Sequence, residues 1–143
     1  MERINTGRVL LSGLLAGLII NVGETVASFV FARQAEQVMA DLGLTMPGGA
    51  AIGIFVVVGF VMGIVLVWLY AAVRPRFGAG PKTAIIVALV FWLIGYFLPL
   101  LGDHLMGLLP LGMMTMGSLW GLVEVGIAAL VGAWLYREGA AAA

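Results

Sequence analysis

Glu24 and Glu124 each stand inside an apolar stretch long enough to cross a bilayer. An ionisable side chain in hydrocarbon is rare and ordinarily faces other helices or a water-filled cavity. Two such carboxyls can exchange a proton, hold a cation, or hydrogen-bond one helix to another. Asn21, one turn before Glu24, and Tyr96, in a third apolar stretch, add an amide and a phenol able to bond to them.

Counting from flanking cations at ~1.5 Å per helical residue puts these groups at similar depth. Glu24 lies ~24 Å past Arg8 and Asn21 ~20 Å past it, Glu124 lies ~20 Å before Arg137, and Tyr96 lies ~21 Å past Lys82. A polar layer of Glu24, Glu124, Asn21 and Tyr96 is therefore expected, with both glutamates pointing inward and sharing a proton. Trp92 and Trp120 fall near the same depth and are candidates for the wall of a cavity beside the acids.

The elements that must carry this layer follow from composition. The chain has 143 residues, of which 63% are hydrophobic and 10% charged, with a mean hydropathy of +1.17. Those values lie outside the soluble globular range and define an all-α integral membrane protein. Four segments reach the ~20 residues a helix needs to span the hydrocarbon: about 8–32, 50–73, 83–101 and 112–136. Together they make a single transmembrane domain, 1–143, built as a four-helix bundle. The segment 33–43 reads as a short amphipathic helix on the outer side, with Ala35, Val38, Met39 and Leu42 at helical spacing.

Arg3, Arg8, Arg74, Arg76, Lys82 and Arg137 fall on one side of these spans and Arg33 alone on the other. That asymmetry predicts both termini in the cytoplasm, in a bacterial inner or plasma membrane. The stretch from Arg74 to Lys82 reads as a tight turn with Pro81 opening the third helix, and its cations can meet anionic headgroups. Trp68-Leu69-Tyr70 and Trp134-Leu135-Tyr136 close the second and fourth spans alike, a sign of a duplicated helical hairpin.

Small residues indicate where helices meet. Gly13 and Gly17 continue into Asn21 and Glu24 on the first helix, and Gly117 and Gly121 lead to Glu124 on the fourth, so these two helices are expected to share an interface. Gly59 and Gly63 form a GxxxG step on the second helix, a face suited to a second copy of the chain or to another subunit of a membrane complex.

Seven basic and seven acidic side chains leave no net charge, which gives nucleic acid nothing to bind. The absence of cysteine removes disulfides and thiolate chemistry. No nucleophile elbow, zinc-protease motif, phosphate loop or dinucleotide fingerprint is present, so no catalytic residue and no cofactor is expected. His104 with Met106, Met113 and Met116 makes a weak candidate for Cu(I) on the outer side.

A chain of four short helices with the stretch Gly23-Glu24-Thr25-Val26-Ala27-Ser28 in the first resembles the small multidrug resistance transporters. The resemblance covers less than one helix and implies a dimer that exchanges protons for cationic substrates at Glu24. Glu124 and the longer outer connection depart from that pattern. Helix association, as an accessory or assembly subunit or a homo-oligomer, is the expected mode of action. Proton-coupled transport of a small solute or cation by the Glu24/Glu124 pair is the alternative.

Overall fold

The computed structural model describes residues 4–136, so Arg3 and Arg137, two of the cations used to orient the chain, lie outside it. All regular structure among the described residues is helical: α1 (Thr6–Val30), α2 (Ala32–Asp41), α3 (Gly49–Phe77), α4 (Pro81–Trp92), a π turn (Leu93–Phe97), α5 (Leu98–Leu105) and α6 (Leu111–Leu135). α4, the π turn and α5 form one continuous span, Pro81–Leu105. With α1, α3 and α6 it completes a set of four helices long and apolar enough to cross a membrane. The exterior of that set is hydrophobic, with Phe29, Ile54, Leu119 and Trp134 among its exposed side chains.

Local chemistry explains the helix ends. The Asn5 side chain caps α1 by accepting from the Arg8 N–H at 3.1 Å. Pro110 precedes α6 in an extended conformation that hands the chain into its first turn. α3 runs further than the expected end near Val73, through Arg74 and Pro75 to Phe77. Pro75 deletes only the bond to the Ala71 carbonyl, and Arg74 O still accepts from Gly78 N at 2.8 Å. The reversal falls instead at Gly78 and Gly80, whose φ values of +87° and +128° favour glycine. Two side chains fasten it: Gly80 N donates to the Tyr70 hydroxyl at 2.9 Å, and Thr83 Oγ1 donates to Gly78 O at 2.7 Å.

The π turn has an identifiable cause. Pro99 has no N–H to give Gly95 O, and its ring crowds that carbonyl, so the turn before it widens. Leu98 N accordingly reaches back to Leu93 O. The sequence alone reads as uninterrupted helix here; the proline inside the span is what changes it.

The two Trp-Leu-Tyr triplets converge. Tyr70 and Tyr136 meet edge to face with ring centroids 6.2 Å apart, while Trp68 and Trp134 are exposed. The Arg74 guanidinium lies 5.8 Å above the Tyr136 ring, and the Tyr136 hydroxyl accepts from Asn5 N at 3.3 Å. Both ends of the described chain are thereby held at the same end of the helices.

The glycine faces pack differently from expectation. Gly13 and Gly17 do not meet α6. A Cβ on Gly13 would lie 2.6 Å from Ile64 Cα and one on Gly17 2.7 Å from Phe60 Cα, so this stripe abuts α3. The GxxxG face of α3 is filled by the same chain: Gly63 lies against the Gly17 backbone and Gly13 O, and Gly59 against the Asn21 amide. α1 meets α6 through a neighbouring stripe, one residue or about 100° round the helix, where Ser12 and Ala16 face Gly132 and Gly23 faces Glu124. In α6, Gly121 receives the Tyr96 ring and Gly117 is in ordinary contact with Leu100. The buried centre is made by Ala16, Ile20, Leu66, Val67, Val125 and Ala128.

Candidate functional site

Tyr96 is positioned by its own span and by α6. It lies in the π turn, and its ring occupies the space that any side chain at Gly121 would fill. From there its hydroxyl donates to Glu124 Oε1 at 2.9 Å and stands 3.4 Å from Glu24 Oε1. A phenol has one proton, which serves one carboxyl at a time. The other contact becomes a full hydrogen bond when the carboxyl there carries a proton of its own. The geometry thus links two carboxyls on different helices through one hydroxyl.

The carboxyls have unlike surroundings. Glu124 is 5% exposed, whereas Glu24 is exposed and lines a cleft of about 540 Å³ between α1, α3 and the π turn. Residues along the cleft run from Met46 and Pro47, before α3, to Ile20, Met62 and Tyr96. No lysine or arginine is among the described residues that line it, so Glu24 is its charge-bearing group. Thr25 and Ser28 also reach it, but their hydroxyls donate to Asn21 O and Thr25 O, both at 2.7 Å. The cleft thus sets a single carboxyl among mostly apolar walls.

Asn21 lines the same cleft without bonding to either acid. Its Nδ2 donates to Gly17 O at 2.9 Å and to Val56 O at 3.2 Å, over the bare backbone of Gly59. It ties α1 to α3 below the acids.

On the far side of Glu124 lies a second, almost wholly apolar groove of about 690 Å³ between α1 and α6. Glu124 Oε2 points to Gly23, which a Cβ would make impassable. Gly23 was missed in the sequence because it sits one place off the expected glycine stripe, in front of the more conspicuous Glu24. Trp120 lines this groove and packs edge to face on Phe31 with centroids 5.7 Å apart. Trp92 lines neither cavity. Its Nε1 donates to Ser118 O at 2.7 Å and its ring leans on Phe97, fixing the third span to α6.

The candidate metal residues have different surroundings. His104 Nδ1 is 2.9 Å from Leu109 O within its own turn, Met106 is exposed, Met113 is half-buried, and Met116 lines the α1–α6 groove. Among the described residues, no group of three or more His, Asp or Glu side chains is arranged to hold a metal ion. Of the cations assigned to headgroups, Arg76 and Lys82 are exposed and Arg74 is engaged with Tyr136. No family model, curated protein or solved structure matches the chain.

Proposed function

We propose that this chain is an integral membrane protein that exchanges protons for a small, partly apolar cation, with Glu24 and Glu124 sharing the exchangeable proton through Tyr96. The observation that carries the reading is the Tyr96 hydroxyl held between a buried carboxyl and one that opens to a cleft. Cation binding at Glu24 competes with the proton there. The proton that the two carboxyls share through the phenol is released to water as the cation binds, and its return expels the cation. The exposed apolar exterior and the four long helices support membrane insertion. The cations Arg8, Arg74, Arg76 and Lys82 near one set of span ends support cytoplasmic termini. The test is uptake of a fluorescent aromatic cation into proteoliposomes under an imposed pH gradient. Wild-type protein drives uptake, and Glu24→Gln does not.

A second reading, an accessory or assembly subunit that works by helix association, is favoured by the hydrogen bond of Tyr96 to Glu124, which also joins the third span to α6. Under that reading Gln at either position keeps the protein's associations and no gradient-driven uptake exists to lose.

A further inference from the structure

The polar side chains along the cleft have committed their protons to the protein itself. Asn21 Nδ2 gives its two protons to Gly17 O at 2.9 Å and Val56 O at 3.2 Å. Both partners are carbonyls, which fixes the amide with its nitrogen toward them and leaves Oδ1 as its acceptor. Thr25 Oγ1 donates to Asn21 O and Ser28 Oγ to Thr25 O, each at 2.7 Å, and Tyr96 donates to Glu124 Oε1. With Glu24 ionised, the described side chains that line the cleft therefore offer acceptors and no spare donor: a carboxylate, an amide oxygen and hydroxyl oxygens. Asn21, Glu24, Thr25 and Ser28 fall at i, i+3, i+4 and i+7 on α1, so their oxygens form a stripe along one helix face. Across from it, Ile52, Phe55 and Val58 of α3 bring only hydrocarbon.

We propose that the cleft selects a primary ammonium ion, whose N–H groups reach the Glu24 carboxylate, Asn21 Oδ1 and Thr25 Oγ1 while its hydrocarbon body lies along α3. Such selection rests on the cleft being the cation site proposed above and needs no proton coupling. The volume of about 540 Å³ falls within the range of small-molecule sites, roughly 300–1,000 Å³. A quaternary ammonium ion carries the same charge but no N–H, so it displaces water from the acceptors without replacing the hydrogen bonds. A hard metal ion needs oxygens on all sides, and the α3 side chains supply none. Charge-assisted hydrogen bonds, roughly twice as strong as neutral ones, thus separate ions that charge alone does not.

The experiment is calorimetric binding to the full chain in detergent, without a gradient, of 2-phenylethylammonium and its N,N,N-trimethyl analogue at one pH and ionic strength. The primary ion should bind at least about tenfold more tightly, the worth of one charge-assisted hydrogen bond. Thr25→Val removes an exposed hydroxyl that bonds only within α1, and it should narrow that margin about threefold. Asn21→Leu should narrow it further, and the Thr25 variant keeps the comparison readable if the α1–α3 tie proves essential to folding. Equal or tighter binding of the trimethyl ion, a margin unchanged in the variants, or competition by sodium at matched ionic strength overturns the proposal while leaving a cation site in place. Failure of both ions to bind overturns the cation site as well. The expected preference without gradient-driven uptake contradicts proton exchange alone.

Discussion

The carboxyl of Glu124 is seated against the Cα of Gly23 across the α1–α6 contact, where a Cβ would fall on Oε2. α1 accepts a buried acid from α6 because residue 23 has no side chain. The same carboxyl turns its other oxygen to Tyr96. One glycine therefore helps set where the shared proton can go.

Gly23→Ala should leave the fold largely intact and disturb the site. The atoms displaced, Oε2, Cδ and Cγ of Glu124, belong to one flexible side chain, so the cost in stability should be about 1 kcal/mol, the low end for overpacking. The Glu124 carboxyl, however, is pushed from its place beside Tyr96. Thermal unfolding in detergent and cation uptake, measured on the same preparation, should show a slightly lowered midpoint and a large loss of flux.

Gly63→Ala should do the opposite. Here the added methyl meets the Gly17 backbone and Gly13 O, which cannot rotate away. α1 and α3 must separate, which typically costs about 1–3 kcal/mol. A clear fall in the unfolding midpoint is the expected result.

Tyr96→Phe retains the ring against Gly121 and removes only the hydroxyl. A single interhelical hydrogen bond in a membrane protein averages about 0.6 kcal/mol, so stability should barely move. Proton transfer between the carboxyls loses its bridge, and gradient-driven uptake should fall by at least about 100-fold, the lower end for loss of a positioned proton-transfer group.

Pro99→Ala restores an N–H to pair with Gly95 O and removes the cause of the π turn. The span should close to regular α-helix, turning Tyr96 away from the acids while the unfolding midpoint holds or rises. Flux and thermal stability should therefore move in different directions.

The four long helices were legible because hydropathy and length suffice to find them. The common level of Glu24, Tyr96 and Glu124 was legible too, since rise per residue fixes depth. Which helix each stripe meets was not. A glycine stripe marks a close contact without naming the partner, and α1 carries two stripes only about 100° apart. The expected α1–α6 interface exists, but Gly13 and Gly17 do not make it: they meet α3, and α1 reaches α6 through Ser12, Ala16 and Gly23. Glu24 does reach the Tyr96 hydroxyl of the third span, but its side chain is exposed at the edge of the α1–α3 contact, where it opens to the cleft. The π turn depends on Pro99 acting on a carbonyl four residues earlier, an effect that hydropathy does not register.

Proton release on cation binding tests the central claim most directly. An aromatic cation is added to the detergent-solubilised protein in weakly buffered solution, and the pH change is compared with the cation bound. Competition at the Glu24–Tyr96–Glu124 site predicts release of about one proton per cation, lost in Glu24→Gln. Saturable cation binding with no proton released, or the same release from Glu24→Gln, would contradict it.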